Sequence, residues 1–229
     1  MVFLKNHRQP LSENQFLETG MAQFYDDHAR SFMGPVYRRL ADKAAGFGLT
    51  RNRVLDIGTG TGLLAVMLAK TKPEWRITGI DIAEEMLRTA RQTVIKNEVA
   101  AQIDFLQAAA EALPFPDNTF DMVVSNASLH LWAQPQKVFN EIARVTAAEG
   151  FCLIWDNLRL ARFNPVPGIL SRLMRMTPKQ RRLWYAAMRS AYTRQEAANL
   201  LKETSMKRAR INIVSGLSML EIEWRKPVL

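Results

Sequence analysis

An α/β sandwich, with parallel strands joined by crossover helices, is the fold class that this 229-residue sequence predicts. Three observations predict it. From residue 53 onward, short β-branched runs alternate with longer runs of helical period. The short runs are continuously apolar, as strands covered on both faces are. A glycine-rich turn lies between the first such run and the first helical one.

The elements follow in order. Strands are expected over 53–57, 76–80, 102–106, 121–125 and 151–155. A helix over 63–71 ends before Pro73, a second covers 84–96, and a third covers 136–147 with Gly150 as its stop. Thr193 followed by Glu196 three residues later is a capping box, which starts a helix through Leu201. The last two alternating runs, 208–214 and 219–224, read as edge strands pairing as a hairpin across Gly216.

Composition excludes several function classes. Apolar residues make up 48% and charged residues 23% of the chain, the balance of a globular protein and not of a disordered one. The single cysteine, Cys152, excludes a disulfide scaffold, and His7, His28 and His130 lie too far apart in sequence to suggest a metal site. No run of eighteen apolar residues occurs, and charge arrives by Lys5, so the expected address is the cytoplasm. The net charge of +9 is concentrated. Eight basic residues and no acidic one fall within 157–192, while the other 23 basic residues are matched by 22 acidic ones. A partner attracted by charge is expected to meet that segment.

The chemistry sits in the string VLDIGTGTG at 54–62. A glycine-rich turn alone describes any tight turn. With a strand before it, a helix after it, and Asp81 at the end of the second strand, nineteen residues past Gly62, it describes an adenosine pocket. Glycine lets a ligand lie against the backbone, and the carboxylate can accept from both ribose hydroxyls. Gly58, Gly60 and Gly62 follow G-x-G-x-G, and Leu63 stands where a dinucleotide site has its third glycine. Asp56, just before the turn, would repel a pyrophosphate and suit an ammonium group.

These motifs resemble the class I S-adenosylmethionine-dependent methyltransferases, and within them the type 11 group that includes the ubiquinone and menaquinone biosynthesis enzymes. The resemblance covers 24–148 in separate blocks: VLDIGTGTG, then ITGIDIAEEML at 77–87, then AEALPFPDNTFDMVVSNASLHLW at 110–132. It implies a Rossmann-like sandwich with a mainly parallel seven-stranded sheet and helices on both faces, and S-adenosylmethionine as cofactor. By resemblance, Asp56, Gly58, Thr59 and Gly60 hold the methionine part, Gly62 belongs to the same cofactor-binding turn, and Asp81 holds the ribose. Ile82 and Met86 pack on the adenine, Ala109, Ala110 and Glu111 border it, and Asn126 lies near the sulfonium. Tyr25 closes an N-terminal helix over the cofactor. One departure stands out: relatives carry an aspartate where this chain has Ala109, which implies weaker adenine binding, by at most roughly tenfold.

The expected organisation is an N-terminal helical cap over 1–52, a cofactor-binding core over 53–156, a basic helical insert or lid over 157–192, and a C-terminal helix with edge strands over 193–229. His130, near the end of the fourth strand, reads either as a general base for the acceptor or as a structural histidine bonded to backbone. Asp156 either orients an acceptor or forms an ion pair with Arg159. In the insert, Ile169, Leu170, Leu173 and Met174 share one helical face, and Leu183, Trp184, Ala187, Met188 and Ala191 share another, so two amphipathic helices split at Pro178 are expected to cover the acceptor cavity. Its arginines are solvated, or they recognise an anionic acceptor or an acidic lipid surface. Nucleic acid is disfavoured because aromatic residues are not interleaved with the basic ones. The expected function is in-line methyl transfer from S-adenosylmethionine to a small or lipid-like acceptor. The alternatives are a non-catalytic S-adenosylmethionine-binding protein and, more distantly, a nicotinamide oxidoreductase.

Overall fold

Consecutive residues of the apolar runs point to opposite sheet faces, and each face gathers its own helices. A computed structural model of the chain describes residues 8–10, 33–159, 176–217 and 219–228. Its strands are β1 (Arg53–Ile57), β2 (Arg76–Asp81), β3 (Ile103–Gln107), β4 (Phe120–Asn126), β5 (Thr146–Asn157), β6 (Arg210–Val214) and β7 (Met219–Arg225). The helices are α1 (Gly34–Ala45), α2 (Leu63–Thr71), α3 (Glu84–Lys96), α4 (Pro135–Val145), α5 (Pro178–Ser190) and α6 (Arg194–Lys202). The strands form one seven-stranded sheet in the order β3-β2-β1-β4-β5-β7-β6, the sandwich that the sequence predicts.

Val54, Met122, Val124 and Leu153 pack on one face with Val36, Leu40 and Ala44 of α1, Leu64 and Leu68 of α2, and Val94 of α3. Leu55, Val123, Cys152 and Ile154 pack on the other with Val138, Phe139 and Ile142 of α4 and with Ala197 and Leu201 of α6. Each buried leucine or isoleucine in these layers contributes about 1.5–3 kcal/mol. Cys152 is fully buried in the second layer, a core residue and not a nucleophile. Around α6 the capping box is complete: Thr193 Oγ1 accepts the Glu196 N–H, and a Glu196 carboxylate oxygen accepts the Thr193 N–H.

Three elements depart from expectation. The third core helix stops at Val145, not 147, and β5 begins at once, five residues earlier than read. Gly150 is not a helix stop but lies within β5, where an added Cβ would meet the Asp121 carbonyl at 2.8 Å. Gly216, at φ +78°, does turn the chain between β6 and β7, but only β6 is an edge. β7 is interior, antiparallel to both β5 and β6. Of the basic insert, α5 matches the second expected helix, while residues 160–175, which include the first, lie outside the described residues.

Candidate active site

β1 sits between β2 and β4, and the chain winds outward from it on one side through β2 and β3, then on the other through β4 and β5. Loops leaving the carboxyl ends of adjacent strands diverge at such a switch point and leave a crevice between them. Here the crevice takes residues 56–60 from β1 and its loop, Asp81 and Ile82 from β2, Met86 from α3, and Ala109 and Ala110 from beyond β3. Beyond β4 it takes Asn126 and His130, and α5 closes it with Trp184 and Ala187. The distant blocks of the motif are thus brought to one place.

The glycine turn is shaped by what surrounds it. Gly58, Gly60 and Gly62 all have positive φ, between +55° and +79°. A side chain at Gly58 would strike Ser128, with Cβ atoms 2.7 Å apart, and one at Gly62 would strike Ala90 at 3.0 Å. Around Gly60 nothing lies within 4 Å of such an atom, so the loop keeps an open cradle there. Gly62 therefore serves packing of the loop on α3 and is not among the lining residues; nor is Glu111, whose carboxylate faces the Gln134 N–H at 3.5 Å. Tyr25 lies outside the described residues.

Two carboxylates frame the cradle. Asp56 is fully buried, accepts the Thr59 hydroxyl at 2.7 Å through Oδ2, and has no partner at Oδ1. Burial, partly offset by the Thr59 bond and reinforced by the nearby Asp81 charge, raises its pKa to about 7. Asp81 accepts the Gly60 N–H at 2.9 Å through Oδ2 and the Ala83 N–H at 3.0 Å through Oδ1. Burial raises its pKa as well, against those backbone bonds. Each Asp81 oxygen keeps a lone pair for a further donor.

At the other end, the β4–β5 register pairs Asn126 with Trp155 and so sets Asp156 beside the turn that follows β4. Asp156 Oδ2 accepts the His130 backbone N–H at 2.9 Å, and Oδ1 faces His130 Nδ1 at 2.7 Å. Both side chains are buried. A carboxylate at Nδ1 holds the proton on that nitrogen, so neutral His130 presents the Nε2 lone pair, and that atom is buried without a partner. Asp156 is therefore paired with His130 through two hydrogen bonds; Arg159 makes its ion pair with Glu196 and donates to the Ala191 carbonyl.

The fit of a ligand can be judged from the atoms left unpaired. Among the described residues five buried side-chain polar atoms have no partner, and four of them belong to crevice residues: Asp56 Oδ1, both Asn126 amide atoms and His130 Nε2. Native interiors pair such atoms with protein, water or ligand. The set offers an anion for an ammonium, a double-sided amide and a proton acceptor around an open glycine cradle. That donor and acceptor set suits an amino-acid nucleoside.

Comparison with known proteins agrees. A family model described as a methyltransferase domain matches residues 55–154. Residues 55–154 are a methyltransferase domain. The domain is of the type 11 group that the sequence motifs resemble. Demethylmenaquinone methyltransferase of Thermus thermophilus is 40% identical over 104 residues, 45% of this chain and 46% of that protein. Malonyl-[acyl-carrier protein] O-methyltransferase of a Paenibacillus species is 31% identical over 144 residues, 61% of this chain and 51% of that one. The chain thus spans about half the length of the curated relatives it matches. The solved plantazolicin methyltransferase BpumL, in complex with a triazolic desmethylPZN analog and SAH, superposes with a TM-score of 0.73 at 18% identity, over 93% of both chains. At that identity the methyltransferase domain shares its fold.

Sequence reasoning missed several lining residues: Met33 and Tyr37 around the start of α1, and Asn157 at the end of β5. No local motif marks them. Trp184 and Ala187, which share the apolar face read from the sequence, do line the crevice.

Proposed function

We propose that the protein is an S-adenosylmethionine-dependent methyltransferase acting on a neutral small-molecule acceptor that bears an ionisable hydroxyl. The observation that carries the reading is the His130–Asp156 pair: His130 lines the same crevice as Asp56, and its Nε2, like Asp56 Oδ1, is buried without a partner. S-adenosylmethionine, when bound, supplies an electrophilic methyl group. Asp56 would hold its ammonium beside Thr59, the Gly60 cradle would admit its chain, and Asp81 would accept from the ribose. Ile82 and Met86 would flank the adenine, with Ala109 leaving its amino group to solvent. Asn126, with both amide atoms free, would meet the donor and the acceptor where they adjoin.

The acceptor end is mostly apolar. Trp132, Leu131, Trp184 and Ala187 line it, and among the described lining residues there is no lysine or arginine to meet an anion. That balance favours a neutral body over an anionic one. His130 would take the hydroxyl proton at Nε2 as the acceptor oxygen attacks in line, and Asp156 would stabilise the imidazolium that results. The acceptor oxygen would receive the methyl group as the bond from that methyl to the sulfonium sulfur breaks, with S-adenosylhomocysteine as the leaving group, and His130 would hold the proton until water removes it.

Acceptor-dependent formation of S-adenosylhomocysteine over a panel of phenols, quinols, amines and thiols tests this. Phenols or quinols are expected to turn over. Replacing His130 by Ala is expected to lower kcat by about 10²–10⁴-fold while S-adenosylhomocysteine binding stays at the wild-type level. Binding of the nucleoside with no turnover of any acceptor would instead make the protein a non-catalytic binder.

A further inference from the structure

The short segment 8–10 reaches two elements that flank the acceptor end of the crevice. Arg8 Nε donates to the Ser190 carbonyl at 2.6 Å, and Nη2 donates to the His130 carbonyl at 3.0 Å. The guanidinium carbon lies 4.0 Å from the centre of the Tyr192 ring, within cation–π range. Next to it, the Gln9 N–H donates to the Arg189 carbonyl at 3.0 Å.

Arg189 and Ser190 end α5. The last carbonyls of a helix have no acceptor role inside it and carry the negative end of its dipole, so a cation and an extra N–H are what they call for. Here both come from the far end of the sequence, 182 residues away in the case of Ser190. The same guanidinium also grips the turn that carries His130. One planar side chain therefore spans α5, which supplies Trp184 and Ala187 to the acceptor wall, and the residue that faces the acceptor proton.

We propose that Arg8 is a positioning residue, which ties the end of α5 to the His130 turn and so fixes the distance between acceptor wall and base. Its functional half rests on the methyltransferase reading; its structural half does not. Lysine is a poor substitute, because a single ammonium lacks the fork that meets two carbonyls in different directions while stacking on a ring.

Hydrogen exchange on the full chain without ligand tests the tie. In Arg8→Ala, amides at the end of α5 and in the 128–132 turn are expected to exchange about tenfold faster or more, with β1, β2 and β4 unchanged. Arg8→Lys should restore protection at one of the two places and not at both. With the most reactive phenol of the panel, the acceptor KM of Arg8→Ala should rise about tenfold while S-adenosylhomocysteine affinity stays within about twofold of wild type. Unchanged exchange at both places overturns the proposal. So does faster exchange spread evenly over the sheet, or a parallel loss of acceptor and nucleoside affinity, since a merely stabilising residue would produce those. If no phenol is methylated, the functional reading fails by itself, and the exchange pattern still decides whether Arg8 makes the tie.

Discussion

At the scale of single residues, Asp56 carries the sharpest consequence. Its carboxyl is held at a pKa of about 7 chiefly by burial, so below pH 7 the folded protein without ligand favours the protonated form and above it the anion. The sign follows from the raised value: this group's contribution to stability is full below its ordinary pKa near 4 and is lost as pH rises through 7. An ammonium placed at the unpartnered Oδ1 reverses the preference, because it needs the anion. Affinity for S-adenosylhomocysteine is therefore expected to fall with acidification below pH 7, by up to about tenfold per unit. Calorimetry between pH 5.5 and 8.5, on the order of half a unit per step, reads that slope. Replacing Asp56 by Asn keeps the shape and the Thr59 bond, and should weaken binding by about ten- to a hundredfold at pH 8 and flatten the pH dependence. A slope that survives in Asp56→Asn would place the titrating group elsewhere. Asp56 and Asp81 were readable because both lie beside local signals, a glycine turn and a strand end. The partnership of His130 with Asp156 was not, since it depends on the β4–β5 register, and neither was Arg8, an ordinary-looking charge whose partners lie 122 and 182 residues away.

At the scale of elements, α1 is fastened to the far half of the sheet by a polar cluster as well as by its apolar face. Lys43 Nζ lies 2.6 Å from a Glu221 carboxylate oxygen and 2.9 Å from one of Glu223. Glu221, buried on β7, also accepts Trp155 Nε1 at 2.8 Å and Asn212 Nδ2 at 3.2 Å. Burial by itself would push the Glu221 carboxyl up; the Lys43, Asn212 and Trp155 hydrogen bonds outweigh it and hold the pKa below its usual value. Stability from this site is thus present above the ordinary glutamate range and lost as pH falls through the lowered value. Lys43 is a third exposed, so its removal costs less than that of a fully buried partner: Lys43→Met is expected to destabilise by about 1–3 kcal/mol in urea unfolding at pH 7. Glu221→Gln added to Lys43→Met should regain part of the loss, because the charge left behind is then gone. A double variant weaker than Lys43→Met alone would show that the charge is not the cost. The sequence announced neither this cluster nor the interior place of β7. Strand order and cross-sheet ion pairs are long-range properties. By contrast β1, α2 and α3 are bounded by Gly, Pro and charge signals within a few residues of their ends, and the ranges read from sequence match the structure. The α4–β5 junction lacked any such signal: Val145 passes to Thr146 without a turn, and Gly150 is demanded by a strand 29 residues away, not by a helix end.

At the scale of the whole molecule, the crevice is assembled from five strand ends and closed by α5, so a ligand filling it would touch elements spread over most of the described chain. Residues 56–60, Asp81, Ala109 and Asn126 lie at the ends of four different strands or in the loops that leave them, and no single loop is a binding unit. A nucleoside held at all four favours only the folded arrangement that brings them together, and so should stabilise the domain as a whole and not one segment. At a hundred times its dissociation constant such a ligand adds about 2.7 kcal/mol. For a chain of this size, that corresponds to an increase in Tm of about 5–10 °C. S-adenosylhomocysteine is expected to produce it, with a single transition throughout. NAD is expected not to, because Asp56 meets a pyrophosphate with like charge and Leu63 fills the place of the third glycine. The increase should also be smaller at pH 6 than at pH 8, since the Asp56 anion is scarcer there. A shift with NAD equal to that with S-adenosylhomocysteine, or a rise confined to one of two separate transitions, would mean that the four strand ends do not act on one bound molecule.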